Sequence, residues 1–139
     1  MGETGRKTEI EVAVTTAPFA VNELYDDFVS REEPVTGTIV MHHGRVKVPG
    51  KVVVDFSRVT LDALVDDVVT ALHQVAREAT WKFHLHQIFI QHRLGEVGSG
   101  DDVLLVICSS ATRREAFAAC AWLVDEIKQE KIIALREWP

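Results

Sequence analysis

Two cysteines in 139 residues are too few for a disulfide framework. Cys108 lies in an apolar strand-like run and Cys120 on the apolar stripe of a helix, so both are expected as buried thiols, protonated and inert as nucleophiles. An excess of basic charge is also missing. Lys and Arg number 15 against 21 Asp and Glu, a net charge of −6, which disfavours a general binder of nucleic acid or anionic membrane, since either needs a basic face. No apolar run approaches the roughly 18 residues of a membrane-spanning helix, and no apolar leader opens the sequence, so the chain is expected in the cytoplasm. There is no internal repeat and no low-complexity linker. Ser109 and Ser110 lack a Gly-x-Ser-x-Gly context and read as helix caps. His42 and His43 are adjacent, and His84 and His86 share a strand face, yet no Asp, Glu or Cys stands at a ligand-like offset from them. No metal and no other cofactor is expected.

What is present suits one compact domain over residues 1–139, with a polar, flexible lead-in at 1–7: 47% hydrophobic and 26% charged residues can bury a core unaided. Thr8–Thr15 alternates as a half-buried strand, and Val21, Leu24, Tyr25 and Phe28 keep helical spacing before Pro34. Gly37–His43 reads as a strand, Pro49-Gly50 as a turn and Lys51–Phe56 as its hairpin partner. From Thr60 as N-cap, Leu61, Leu64, Val65, Val68, Leu72, Val75, Ala76 and Ala79 trace one face of a helix of about five turns. Lys82–His92 and Asp102–Cys108 read as antiparallel neighbours joined through Gly95–Gly100. A last helix follows Ser109 and Ser110, with Phe117, Cys120, Ala121, Val124 and Ile127 on its apolar stripe. The order is α+β, helices packed on a mixed or antiparallel sheet.

Chemistry concentrates after Cys108. Arg113 falls in the first turn of the last helix and Lys128 at its end, and with Arg45, Lys47, Arg93 and Arg114 they are candidates to border an anion site. His92, ending a strand, is suited either to donate to a backbone group or to line a groove. These residues carry a resemblance. His92-Arg93-Leu94-Gly95-Glu96, then Ser109-Ser110-Ala111-Thr112-Arg113-Arg114-Glu115-Ala116-Phe117, then Asp125-Glu126-Ile127-Lys128 resemble, in order and spacing, segments of the large, catalytic subunit of molybdopterin synthase. Thr36–Lys47 looks like the same family's Gly-Ala-x-x-x-Phe-x-Gly-x-Val-Arg segment, and matching positions run over about residues 18–137.

The resemblance implies an α/β-hammerhead-like fold and sulfur transfer to a cyclic pyranopterin phosphate, giving the dithiolene of molybdopterin in molybdenum cofactor biosynthesis. The sulfur would come from the C-terminal Gly-Gly thiocarboxylate of a small ubiquitin-like carrier subunit, with a homodimer of large subunits completing a heterotetramer. By the same implication Lys128 is the catalytic amine, and Arg113, Lys47, Arg136, His42 and Arg45 are substrate-binding. By the same resemblance the chain is expected to be a divergent member of the pattern, with a shortened C-terminus. Lys47 stands where the family has arginine, Thr112 where it has histidine, His42 where it has phenylalanine and Leu135 where it has a second lysine, with Arg136 next in line to supply that charge. Two outcomes stay open from sequence: an active transferase, or a catalytically degenerate relative acting as a binding or regulatory protein.

Overall fold

The computed structural model describes residues 7–139. The lead-in expected at 1–7 therefore lies, Lys7 aside, outside the described residues. Ten elements follow in order: β1 Glu9–Thr15, α1 Val21–Ser30, β2 Thr38–Arg45, β3 Arg58–Ala63, α2 Val68–Lys82, β4 Gln87–Arg93, β5 Gly95–Val97, β6 Asp102–Ser110, α3 Arg113–Ile127 and β7 Ile133–Trp138. They build two sheets. One is mixed and four-stranded, ordered β1-β4-β6-β2, with β1 parallel to β4 and the remaining pairs antiparallel. The other is antiparallel and three-stranded, ordered β5-β3-β7. The expected α+β class holds.

The two faces of the four-stranded sheet are covered differently, because alternate residues of β6 point opposite ways. Leu104, Val106 and Cys108 face α2, α3 and the second sheet in the main core, together with Leu72, Ala76, Leu123 and Ile127. Leu105 and Ile107 face α1, whose Phe28 is buried beside Phe19 and Phe89. Buried on both faces, β6 reads as a continuous apolar run rather than an alternating one.

Several expectations need correction. The helix does not begin at Thr60. Val59 and Leu61 are buried at period two in β3, Leu64 is 51% exposed, and α2 starts at Val68. Its cap is Asp67, which accepts from the Thr70 amide at 3.0 Å and the Thr70 hydroxyl at 2.7 Å. Helical and strand periodicity coincide at Leu61, and the ladder with β7 decides for the strand. Second, Lys51–Phe56 is not a strand and does not pair with β2. It belongs to a loop from Val46 to Ser57, and β2 pairs with β6 alone. Third, Ser109 and Ser110 end β6 and do not cap α3. The Ser110 hydroxyl donates to the His84 carbonyl at 2.6 Å, and Thr112 accepts from the Glu115 amide instead. Phe117, placed on the apolar stripe by spacing, is 61% exposed, and the buried face is Ala116, Ala119, Cys120, Leu123 and Ile127.

The strand assignment of 58–63 is testable by stability. Leu61→Ala empties a site 2% exposed and is expected to cost about 2–5 kcal/mol in urea unfolding, whereas Leu64→Ala should stay within about 0.5 kcal/mol. Equal costs at the two positions would restore the helical assignment.

Candidate functional site

A cavity of about 490 Å³ opens where the two sheets and the end of α3 meet. One wall is the end of β2 and the loop after it, with Gly44, Arg45, Lys47, Pro49, Lys51 and Val52. The three-stranded sheet supplies Val59 and Leu61 from β3 and Ile133, Leu135 and Glu137 from β7. Helix α3 and its exit turn supply Ile127, Lys128, Gln129 and Glu130, and His92 and Leu104 close the inner end.

Lys128 is the C-cap of α3, its amide bonded to the Val124 carbonyl at 3.0 Å. A cation there faces the unpaired carbonyls and negative end of the helix, a favourable place for it. The exit turn is sharp. Glu130 adopts φ 58°, and its carboxylate accepts from the Leu135 amide at 2.8 Å, which brings β7 back beside Lys128. Along β7 the side chains alternate, so Leu135 and Glu137 share the cavity face and Arg136 takes the other.

The loop over the cavity is held by one carboxylate. Glu137 accepts from the consecutive amides of Lys51, Val52 and Val53 at 2.9, 2.7 and 2.8 Å. A turn of consecutive N–H groups is a small anion cradle, and those three bonds, from Val53, Val52 and Lys51, together with the Lys47 charge, hold the Glu137 carboxyl below its usual range. Gly50 is required for this closure, since a Cβ there would lie 2.1 Å from the Val53 carbonyl oxygen. The other cavity carboxylate, Glu130, is also engaged with an amide. Four cations, Arg45, Lys47, Lys51 and Lys128, thus border a space whose two carboxylates are already bonded to backbone, and the cavity favours an anionic occupant.

His92 does both things its sequence position suggested. It lines the cavity, and its Nδ1–H donates to the Arg93 carbonyl at 2.8 Å, leaving Nε2 as an acceptor. Burial, only partly offset by that bond, lowers its pKa, so the ring is neutral at pH 7. Among the described residues no group of three or more His, Cys, Asp or Glu is placed to hold a metal. The hydrogen bond with Cys120 and burial push the Cys108 thiol up, and Cys108 stays protonated in the core.

Of the residues picked from sequence, Lys128, Lys47 and Arg45 line the cavity. Arg45 is partly committed, its Nε donating to the Gly100 carbonyl at 3.0 Å. His42 lies just behind Gly44 in the wall. Arg113 is not at the cavity of its own chain. It begins the 15-residue helix that Lys128 caps, and about 1.5 Å of rise per residue separates the two by roughly 22 Å. Arg136 also faces away, its guanidinium 5.8 Å from the Trp138 ring centre, with Arg58 at 4.8 Å from the same ring. Lys51, Gln129, Glu130 and Glu137 were not picked. For Glu137 the available signal was its alternation with Leu135 on one strand.

Comparison with known proteins bears on the family and the fold. The family described as MoaE protein matches residues 14–130. The molybdopterin synthase catalytic subunit of Pyrococcus abyssi is 35% identical over 104 residues, 73% of this chain and 68% of that protein. Among solved structures, molybdopterin synthase from Staphylococcus aureus superposes with a TM-score of 0.75 at 25% identity, covering 94% of this chain and 90% of that one. A complex of subunits 1 and 2 of molybdopterin-converting factor from Helicobacter pylori superposes at 0.64 with 15% identity, covering 94% and 83%.

Glu137→Ala should release the loop: amide exchange at Lys51–Val53 is expected to rise at pH 7 while exchange in β6 is unchanged. Because its folded pKa lies below its ordinary value of 4.5, the carboxylate stabilises the closed loop above that value and loses its hold as pH falls through the folded pKa. Wild-type loop protection should therefore fade only below pH 4.5, and Glu137→Ala should show no such pH step. Unchanged exchange in the variant would refute the latch.

Proposed function

The chain belongs to the MoaE protein family, and from that premise we propose that it transfers sulfur from a carrier protein's C-terminal thiocarboxylate to a cyclic pyranopterin phosphate, as the catalytic subunit of a molybdopterin synthase. The observation that carries the proposal is the placement of Lys128 at the end of α3, inside a cavity rimmed by Lys47, Lys51 and Arg45. The cavity suits the chemistry. An extended Gly-Gly tail has no side chains to exclude, and both its thiocarboxylate and the substrate phosphate are anions that fixed cations bind better in a partly dry space than in water.

In this mechanism Lys128 is the amine beside the thiocarboxylate, acting in acid-base or covalent chemistry. Lys47 meets phosphate or pterin oxygens as a point charge, without the planar fork of an arginine. Neutral His92 offers Nε2 as an acceptor at the inner end. Arg113 and Arg136 face away from their own cavity, so in this account they act on substrate only from the second copy in a homodimer. The carrier is a small ubiquitin-like protein. The Helicobacter pylori complex, which pairs two subunits on the same fold, supports such a partner.

One observation favours a second reading. Leu135 lines the cavity where an added cation would face the carrier tail, and an apolar side chain neutralises nothing. A relative without that charge could bind the carrier and turn nothing over.

Single-turnover assays with thiocarboxylated carrier, with carrier binding measured in parallel, separate the two. The expected result is turnover by the parent, and loss of it in Lys128→Ala with stability within about 0.5 kcal/mol of the parent, since an exposed cap lysine makes little packing. Binding without turnover in the parent, with activity gained in Leu135→Lys, would establish the degenerate reading. Absence of binding and turnover in both proteins would remove the function and leave the fold.

A further inference from the structure

The inner face of β2 carries a polar side chain to which the mechanism above gives no role. His42 and Gly44 are two residues apart on the strand and face α3 together, and Gly44 is part of the cavity wall. The His42 ring fills the space that a side chain at 44 would need, since a Cβ there would come within 2.9 Å of Nε2. That nitrogen is buried and has no hydrogen-bond partner. Buried polar atoms are nearly always paired, and an unpaired one in a cavity wall calls for a function.

The titratable groups that packing brings to His42 are Lys128 and Cys120 from α3 and His43 beside it on β2, while Val106 stands opposite on β6. No carboxylate is among them. Burial first, then the Lys128 and His43 charges, hold the His42 pKa below its ordinary 6.5, so the ring is neutral at pH 7. A neutral imidazole protonated at Nδ1 carries its lone pair on Nε2.

We propose that His42 is a positioning residue for Lys128, its Nε2 lone pair being the acceptor toward which the lysine amine turns at the Gly44 wall. This rests on the role given to Lys128 above. A carboxylate partner would also orient the amine, but it would stabilise the ammonium and hold its proton. A neutral imidazole fixes direction and leaves the proton transferable. When an N–H of Lys128 passes its proton to the reacting sulfur or oxygen, a remaining N–H keeps the bond to Nε2. Protonation of His42 removes the lone pair and sets two cations against each other, so Lys128 is turned away.

The test follows Lys128 by NMR of its side-chain Cε in the full chain, as pH is lowered, in wild type, His42→Phe and His42→Gln. Phenylalanine fills the space without an acceptor; glutamine keeps an acceptor that does not titrate. The expected result is a step in the wild-type Lys128 signal below pH 6.5 that both variants lack. In the sulfur-transfer assay, kcat at neutral pH should fall about tenfold in His42→Phe with KM for the carrier unchanged, and glutamine should recover most of it. A step that is absent in wild type, or that persists in His42→Phe, overturns the proposal, as does equal loss of kcat in the two variants. If wild type shows the step and no protein turns over, the His42–Lys128 pair stands and the sulfur-transfer reading fails.

Discussion

The seating of α3 on the four-stranded sheet is the constraint from which the site follows. Ala116, Ala119 and Cys120 present so little side chain that the helix lies close over β6, close enough for the Cys108 thiol to reach the Ala116 carbonyl at 3.4 Å. Leu123 and Ile127 then complete the contact with the main core. A helix pinned along its length by small residues cannot slide or roll without opening voids in a core packed at crystal density. Its end therefore has a fixed position, and the residue that caps it is Lys128. The same packing sets α3 along the inner face of β2, and Gly44 on that strand lines the cavity with Lys128.

Around that rigid point the cavity is assembled from parts held by polar bonds at its margin. The loop after β2 has almost no buried side chains; Val52 is 86% exposed and Val48 61%. It owes its conformation to the Glu137 carboxylate and to Gly50 rather than to packing. Segments held this way open at lower free energy than a core, which under the proposed function suits a wall that the carrier's extended tail would pass. Under that proposal, a fixed amine behind a latched loop divides catalysis from access.

How far these features were legible in the sequence depended on how local their causes are. Helix α1 could be read because Val21, Leu24, Tyr25 and Phe28 state its period within eight residues, and β6 because Val103–Cys108 is apolar throughout. Strand β3 was missed because Leu61 fits both a strand with Val59 and a helix with Leu64 and Val65. The deciding partner, β7, lies some seventy residues away in the ladder pairing Leu61 with Leu135. The loop 51–56 has the composition of a strand, yet its amides are taken by a carboxylate at position 137, and no local window contains that bond. Lys128, Lys47, Arg45 and Arg113 were legible as cations that could border an anion site, and a family pattern gave them roles and added Arg136. A pattern orders residues along the chain and carries no helix length or strand face, so it could not say that Arg113 and Arg136 point elsewhere.

The central claim is that the cavity at the end of α3 receives the carrier's terminal thiocarboxylate beside Lys128. A crystal structure of the full chain with its thiocarboxylated carrier tests it most directly. The account predicts the Gly-Gly terminus threaded between the Lys47–Val52 loop and β7, its terminal atoms within hydrogen-bonding distance of the Lys128 amine. A carrier tail ending on another face of the molecule, with the cavity closed over Glu137, would contradict it.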